Sequence, residues 1–194
     1  MSGAGKSTLG EALAKEIGLP YIDGDSLHSQ ANIDKMSAGI PLDDDDRGPW
    51  LRKIREEAVK ACKQHSEGTG VEGDATKRRG LVVGCSALKK SYRRLLRGED
   101  HDQEAAILVE DAPPMHDPFT FATRFVFISG SKDELFKRMK SRKGHYMKEQ
   151  MLDSQFATLE TPDPATEEDI ITVDLLDPTP VQVEKAMARL QACA

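Results

Sequence analysis

Lys6 and Ser7, with the small residues before them in MSGAGKSTLG, have types and spacing suited to gripping a polyphosphate. A loop that does so reads G-x-x-x-x-G-K-[ST]. Small residues let backbone N–H groups converge on an anion, and the helix that follows turns its positive end toward it. Gly5, Lys6 and Ser7 fill the last three places of that pattern, and Ser2, Gly3, Ala4 and Thr8 complete the cradle. Lys6 is then placed to reach the β- and γ-phosphates, and the Ser7 hydroxyl to ligate Mg²⁺, so the expected cofactors are ATP and Mg²⁺. A chance glycine-rich turn before a helix is the bland alternative.

A second chemical group is Asp23-Gly24-Asp25, at the end of a short strand, Pro20-Tyr21-Ile22. In α/β sheets ligands collect at the carboxyl ends of strands. Two carboxylates facing a phosphate loop suit phosphoryl transfer to a hydroxyl. One of the two can hold Mg²⁺ through water, while the other orients the attacking hydroxyl and accepts its proton. The competing explanation is a plain Asx-turn.

The elements that must position these groups alternate between helix and strand, which predicts α/β: a P-loop NTPase-type three-layer α/β/α fold with a parallel sheet. Leu9, Leu13 and Ile17 recur at four-residue spacing up to Gly18, giving the first helix. Pro49 is expected to begin a second helix, with Trp50, Leu51, Ile54, Ala58 and Cys62 turned inward. Leu81 to Cys85 reads as a strand, Ala87 to Arg97 as a helix, and Arg124 to Ser129 as a strand. Ser131 and Glu134 form a capping box for a helix carrying Leu135 and Met139, a further helix carries Met151, Leu152, Phe156 and Leu159, and Ile170 to Val173 is the last strand before a helix from Pro180. Residues 98–123, acidic and proline-containing, read as a surface insertion. The aspartates Asp43 to Asp46 point in different directions and read as a solvated loop; Trp50 reads as core and Cys85 as a small buried hydrophobe.

The first glycine of the loop pattern, and the strand that should present it, would fall before Met1. In this architecture that strand is central, and four or five missing apolar side chains would forfeit on the order of 10 kcal/mol, at ~1.5–3 kcal/mol each. Domain stabilities of ~5–15 kcal/mol make that loss comparable with the whole. The expectation is therefore a gene model begun at an internal methionine, with an apolar strand ending in glycine encoded upstream.

At 194 residues the chain suits one domain, with 31% charged and 38% hydrophobic residues. The net charge of −6 offers no global attraction to nucleic acid or acidic membranes, so a substrate anion needs local Lys and Arg. No apolar run approaches the roughly 20 residues of a membrane span. Three cysteines without metal-ligand spacing, and no signal-peptide pattern, make the cytoplasm the expected address.

Three blocks carry a resemblance: DGDSLHSQANIDKMSAGIPLDDDDRGPW (23–50), CSALKKSYRRLLR (85–97) and RKGHYMKEQMLDSQFATLE (142–160). They closely resemble gluconokinase, a family of small P-loop carbohydrate kinases similar in fold to shikimate kinase. The resemblance implies ATP- and Mg²⁺-dependent phosphorylation of D-gluconate on its 6-hydroxyl, feeding the pentose phosphate pathway. It casts Asp25 as catalytic base and Asp23 as the water-mediated metal contact. His28 and Asn32 become neutral partners for a polyhydroxy chain, and Arg47, Lys89 or Arg93 the holder of the acceptor carboxylate. For Arg47 the competing partner is the aspartate run beside it. Between two helices, over about 137–150, Arg138, Arg142, Lys143 and His145 cluster around Gly144. In this kinase class such a segment closes as a lid over ATP, with Arg142 first and Arg138 second to neutralise charge on the transferred group, and His145 on the substrate side. The resemblance allows a homodimer. Shikimate or adenylylsulfate kinase-like chemistry and an inactive P-loop remnant are the other readings.

Overall fold

A computed structural model describes residues 3–67, 80–99, 122–140 and 148–192; of 64–67, 148–151 and 192 only the backbone is described. Lys6–Ile17 is α1, Tyr21–Asp23 β1, and Gly24–Leu27 one turn of 3₁₀ helix. Gln30–Ser37 (α2) and Asp44–Glu67 (α3) lead to Val82–Gly84 (β2), Lys90–Arg97 (α4) and Phe125–Ser129 (β3). Lys132–Lys140 (α5), Lys148–Thr158 (α6), Ile170–Asp174 (β4) and Thr179–Ala192 (α7) complete the order. The expected insertion 98–123 lies outside the described residues from 100 to 121, as does the lid from 141 to 147.

The strands are parallel, as the alternation with helices requires. They pair two by two: Tyr21 opposite Val82 through Asp23 opposite Gly84, and Phe125 opposite Ile170 through Ser129 opposite Asp174. Among the described residues β2 and β3 each keep an unpartnered edge. Helix α1 packs on β1, β2 and α7, and α7 packs in turn on β4. The core gathers Leu51, Leu135, Leu152 and Leu175, each at most 1% exposed, around Leu9, Trp50, Ile54, Tyr92 and Val173. Each such side chain contributes about 1.5–3 kcal/mol by leaving water. No helix among the described residues is long and apolar enough to cross a membrane.

Two helix starts differ from the sequence expectation. α3 begins at Asp44, not Pro49, because the aspartate run is its cap. Asp46 N–H donates to Asp43 Oδ1 at 2.9 Å and Asp43 N–H to Asp46 Oδ2 at 3.1 Å, a reciprocal box made of two aspartates. Three acids in the first turn complement the helix dipole, and Pro49 falls inside the helix. The expected solvated loop is thus a helix N-terminus. α4 starts at Lys90 rather than Ala87, where Glu160 Oε2 accepts the Lys90 N–H at 2.6 Å. α2 was not anticipated; Ser29 caps it, its Oγ accepting from the Asn32 N–H at 3.2 Å. The Ser131/Glu134 box forms as expected, with N–H bonds of 2.7 and 3.2 Å.

The polar centre that ties α4 to the approach of β4 is a buried ion pair. Arg93 Nε and Nη2 donate to the two Glu167 oxygens at 2.8 and 2.7 Å, and both residues are under 5% exposed. Arg93 also donates to the Glu160 carbonyl at 3.1 Å, and Arg97 adds 2.7 Å contacts to Asp169. Arg93 above all, with Arg97, pulls the Glu167 carboxyl down to about 2 against the opposing effect of burial. A folded-state value below the unfolded one stabilises the fold above about pH 4.5, and that contribution fades as pH falls toward 2. Glu167→Ala strands a buried guanidinium, so chemical denaturation at neutral pH should show a loss of about 3–5 kcal/mol. A loss below 1 kcal/mol would mean that water already reaches Arg93.

Candidate active site

The glycine loop takes the backbone that phosphate binding needs. Gly3 and Gly5 have φ of 77° and 86°, and Gly5 ends the loop as the N-cap of α1. No side chain caps α1, so its first amides keep no side-chain partner within the cap. Lys6 is its first residue and Ser7 its second. Here the chain's residues fit a bound triphosphate tail: an uncapped helix N-terminus, a positive-φ loop and a lysine at its head.

From Ser7 the site continues through one carboxylate. Asp23 Oδ2 accepts the Ser7 hydroxyl at 3.1 Å, and Asp23 Oδ1 accepts the Asp25 N–H at 3.0 Å. Ser26 Oγ donates to the Asp23 carbonyl at 2.7 Å, closing the turn. One side chain at the end of β1 therefore joins the start of α1 to the turn that carries Asp25. Asp25 is exposed, and among the described residues nothing donates to its carboxylate. Ser7 and Asp23 supply hard oxygens suited to a divalent cation, completed by phosphate and water. Among the described residues no cluster of three His, Cys, Asp or Glu makes a self-contained metal cage.

Past Asp25 in the chain, a second polar group gathers around His28 and Arg47. His28, 8% exposed, stacks on Trp50 at 4.3 Å between ring centroids, and Trp50 Nε1–H donates to the Gly24 carbonyl at 2.7 Å. Trp50 is thus core, as its pattern implies, and it also supports a site residue. Burial lowers the His28 pKa; Asp25 opposes that shift and Arg47 adds to it. Arg47, 9% exposed, donates from Nε to the Leu42 carbonyl at 3.3 Å. No described residue accepts from its two terminal NH₂ groups, and they are not sealed from solvent. That leaves the planar fork without a described acceptor.

The other two basic candidates have protein partners. Lys89 Nζ contacts both Asp44 oxygens, at 2.6 and 2.8 Å, and the Tyr92 hydroxyl donates to the same carboxylate. Lys89 and Tyr92 hold the Asp44 carboxyl below its usual range, while burial and Asp44 push the Tyr92 hydroxyl above its own. Arg93 is enclosed by Glu167 and three backbone carbonyls, so its guanidinium is engaged within the protein. Arg47 does not pair with the aspartate run; Asp46 instead takes Lys35 at 2.7 Å. Cys85 is half-buried rather than buried as expected, and desolvation pushes its thiol up to about 11, away from nucleophile chemistry.

A cavity of about 400 Å³ opens on the other side of the loop, lined by Gly3, Ala4, Gly5, Thr8 and Arg138 with Leu176, Asp177, Pro178, Thr179 and Gln182. Arg138 is fixed there by donating to the Leu175 carbonyl. The turn after β4 went unnoticed in the sequence, where Leu176 is an unpatterned leucine; the structure leaves it 63% exposed at this opening. A larger recess of about 650 Å³ beside α4 is ringed by groups that pair with each other, Arg97 with Asp169 and Arg94 with Glu99. Ser2, Arg142, Lys143 and His145 lie outside the described residues.

A glycine loop opening a helix, with strand-end carboxylates beside it on a parallel α/β frame, defines a P-loop kinase for small molecules. Residues 2–67 match the shikimate kinase family model. The chain is 39% identical to a probable gluconokinase of Schizosaccharomyces pombe over 90% of its own length and 76% of that protein's. It is 37% identical to the thermoresistant gluconokinase of Escherichia coli, over 92% and 82% of the two chains. A gluconokinase crystal structure from Sinorhizobium meliloti shares 39% identity and a TM-score of 0.71, covering 100% of this chain and 89% of that one. The chain belongs to the gluconokinase family. Such a kinase draws on ATP and a divalent metal and acts on a small molecule.

Asp23→Ala removes the acceptor of both Ser7 Oγ–H and Asp25 N–H. Hydrogen bonds to charged groups are worth about 1.5–3 kcal/mol, so some stability is lost. The distinguishing effect is on metal titration of turnover, whose midpoint should move to higher concentration. A midpoint that stays put would remove Asp23 from the metal's surroundings.

Proposed function

We propose that the protein transfers the γ-phosphoryl group of ATP to the 6-hydroxyl of D-gluconate, with Mg²⁺, giving 6-phospho-D-gluconate and ADP. The observation that carries this is the Asp23 carboxylate, which receives Ser7 on the ATP side and Asp25 on the acceptor side within about 3 Å.

Backbone amides of 2–8 and Lys6 hold the phosphates. Ser7 directly, and Asp23 through water, would hold Mg²⁺, which would supply charge neutralisation to the phosphates. Asp25 hydrogen-bonds the 6-hydroxyl, aims its oxygen at the γ-phosphorus and takes its proton as the new P–O bond forms, while the bond to the β–γ bridging oxygen breaks and ADP leaves. Arg47 receives the gluconate carboxylate on its open fork; its terminal groups are uncommitted, whereas Lys89 and Arg93 are engaged. The cavity between the loop and the turn after β4 takes the adenine end, with Arg138 at its rim. Arg142 and His145 close over the γ-phosphate and acceptor from a lid spanning about 137–150, within a single kinase domain. A homodimer and a cytoplasmic location complete the proposal.

With purified protein and a panel of gluconate, shikimate and adenylylsulfate, ADP release should follow gluconate alone. Turnover with another acceptor and none with gluconate would overturn the assignment. Asp25→Asn should cut kcat by about 10²–10⁴ with ATP affinity retained, as expected for loss of a positioned base. Arg47→Ala should act mainly on gluconate KM, and an effect confined to kcat would exclude a carboxylate contact.

A further inference from the structure

One side chain and one backbone carbonyl fix the proton of the His28 ring. Asn32 Nδ2 lies 2.9 Å from the Asp46 backbone carbonyl and 3.3 Å from His28 Nδ1. A carbonyl oxygen only accepts, so the Asn32 atom facing it must be the amide nitrogen. The second hydrogen of that same NH₂ points at His28 Nδ1, which must therefore be the unprotonated nitrogen. A neutral imidazole with a bare Nδ1 carries its hydrogen on Nε2.

The ring is held on one face and at Nδ1. Trp50 stacks on one face with an interplanar angle of 11°, and its own indole N–H is tied to Gly24. The charged groups acting on the ring are Asp25 from the 3₁₀ turn and Arg47 from α3. No described residue accepts from Nε2. Among the described residues the only sealed polar side-chain atom lacking a partner is the Tyr21 hydroxyl, so Nε2 reaches solvent. Asn32, 5% exposed with both amide hydrogens engaged, has no donor left to offer.

We propose that His28 presents a fixed Nε2–H donor to a hydroxyl of the acceptor, and that the Asn32 NH₂ sets this tautomer. Asn32 is then a positioning residue for the ring through its nitrogen, and the Asp46 carbonyl that orients it is a product of the aspartate cap of α3. The donor suits an acceptor hydroxyl oxygen lying between the Asp25 carboxylate and the Arg47 fork. It disfavours acceptors with an apolar carbon at that point, because burying an N–H without a partner is costly. The inference deepens the gluconate proposal and rests on it for the identity of the acceptor.

The tautomer is measurable without substrate, by ¹⁵N chemical shifts of the His28 ring in the whole protein. Protonated Nε2 and bare Nδ1 are expected at neutral pH; the reverse overturns the proposal even if gluconate is phosphorylated. Asn32→Asp replaces the donor with a carboxylate, which should draw a proton onto Nδ1 and make gluconate KM vary between pH 6 and 8 where the parent's is flat. Should that variant fail to fold, two others decide the matter. His28→Asn keeps a group near Nδ1 only and should raise gluconate KM about tenfold, the size of one hydrogen bond. His28→Gln keeps a donor near Nε2 and should recover most of that loss, with ATP KM steady in both. Equal gluconate KM for the two variants would refute the donor role, whereas absence of gluconate phosphorylation by the parent protein would refute the acceptor instead.

Discussion

The site depends on a single carboxylate at a strand end. Asp23 receives the Ser7 hydroxyl with one oxygen and the Asp25 amide with the other, so the phosphate loop and the acceptor turn share one anchor. Neither half is rigid alone: the loop is glycine-rich and the turn is one helical turn long. What makes Asp23 a fixed point is the parallel pairing of β1 with β2, which ends with Asp23 opposite Gly84. Phosphoryl transfer asks two groups to meet in line within a few tenths of an ångström, and proximity of that quality is worth several kcal/mol of barrier.

Around this anchor the charges are sorted by commitment. A chain of net charge −6 must attract two anions, a polyphosphate and a sugar acid, through a few local cations. Many of its basic residues are engaged with acids: Lys35 with Asp46, Lys89 with Asp44, Arg93 and Arg97 with Glu167 and Asp169. These pairs hold α2, α4 and the start of β4 in register. The fork of Arg47 is an exception, its two terminal NH₂ groups without a described acceptor although the residue is 9% exposed.

The loop, α1, the strand-end aspartates and the Ser131 capping box were legible in the sequence because each is local, with donor and acceptor within a few residues. The aspartate run was misread for the opposite reason. Four like charges look like solvent-facing loop until Asp43 and Asp46 are seen bonding each other's amides across the first turn of α3. Arg93 looked available because its partner Glu167 lies 74 residues away, beyond any periodicity. The same distance hid Glu160 as the cap of α4 and the turn after β4 as a wall of the cavity beside the loop. Long-range pairing is a property of the fold, so residue type alone does not show which basic residues are already paired within the protein.

The most direct test of a shared anchor is a crystal structure of the complex with ADP, Mg²⁺, an aluminium fluoride in place of the transferred phosphoryl group, and D-gluconate. The gluconate 6-oxygen should sit in line with the aluminium and within hydrogen-bond distance of the Asp25 carboxylate, with Asp23 still bridging toward Ser7 through the metal's water. A 6-oxygen turned away from Asp25, or a metal held without Ser7 and Asp23 nearby, would contradict the mechanism at its root.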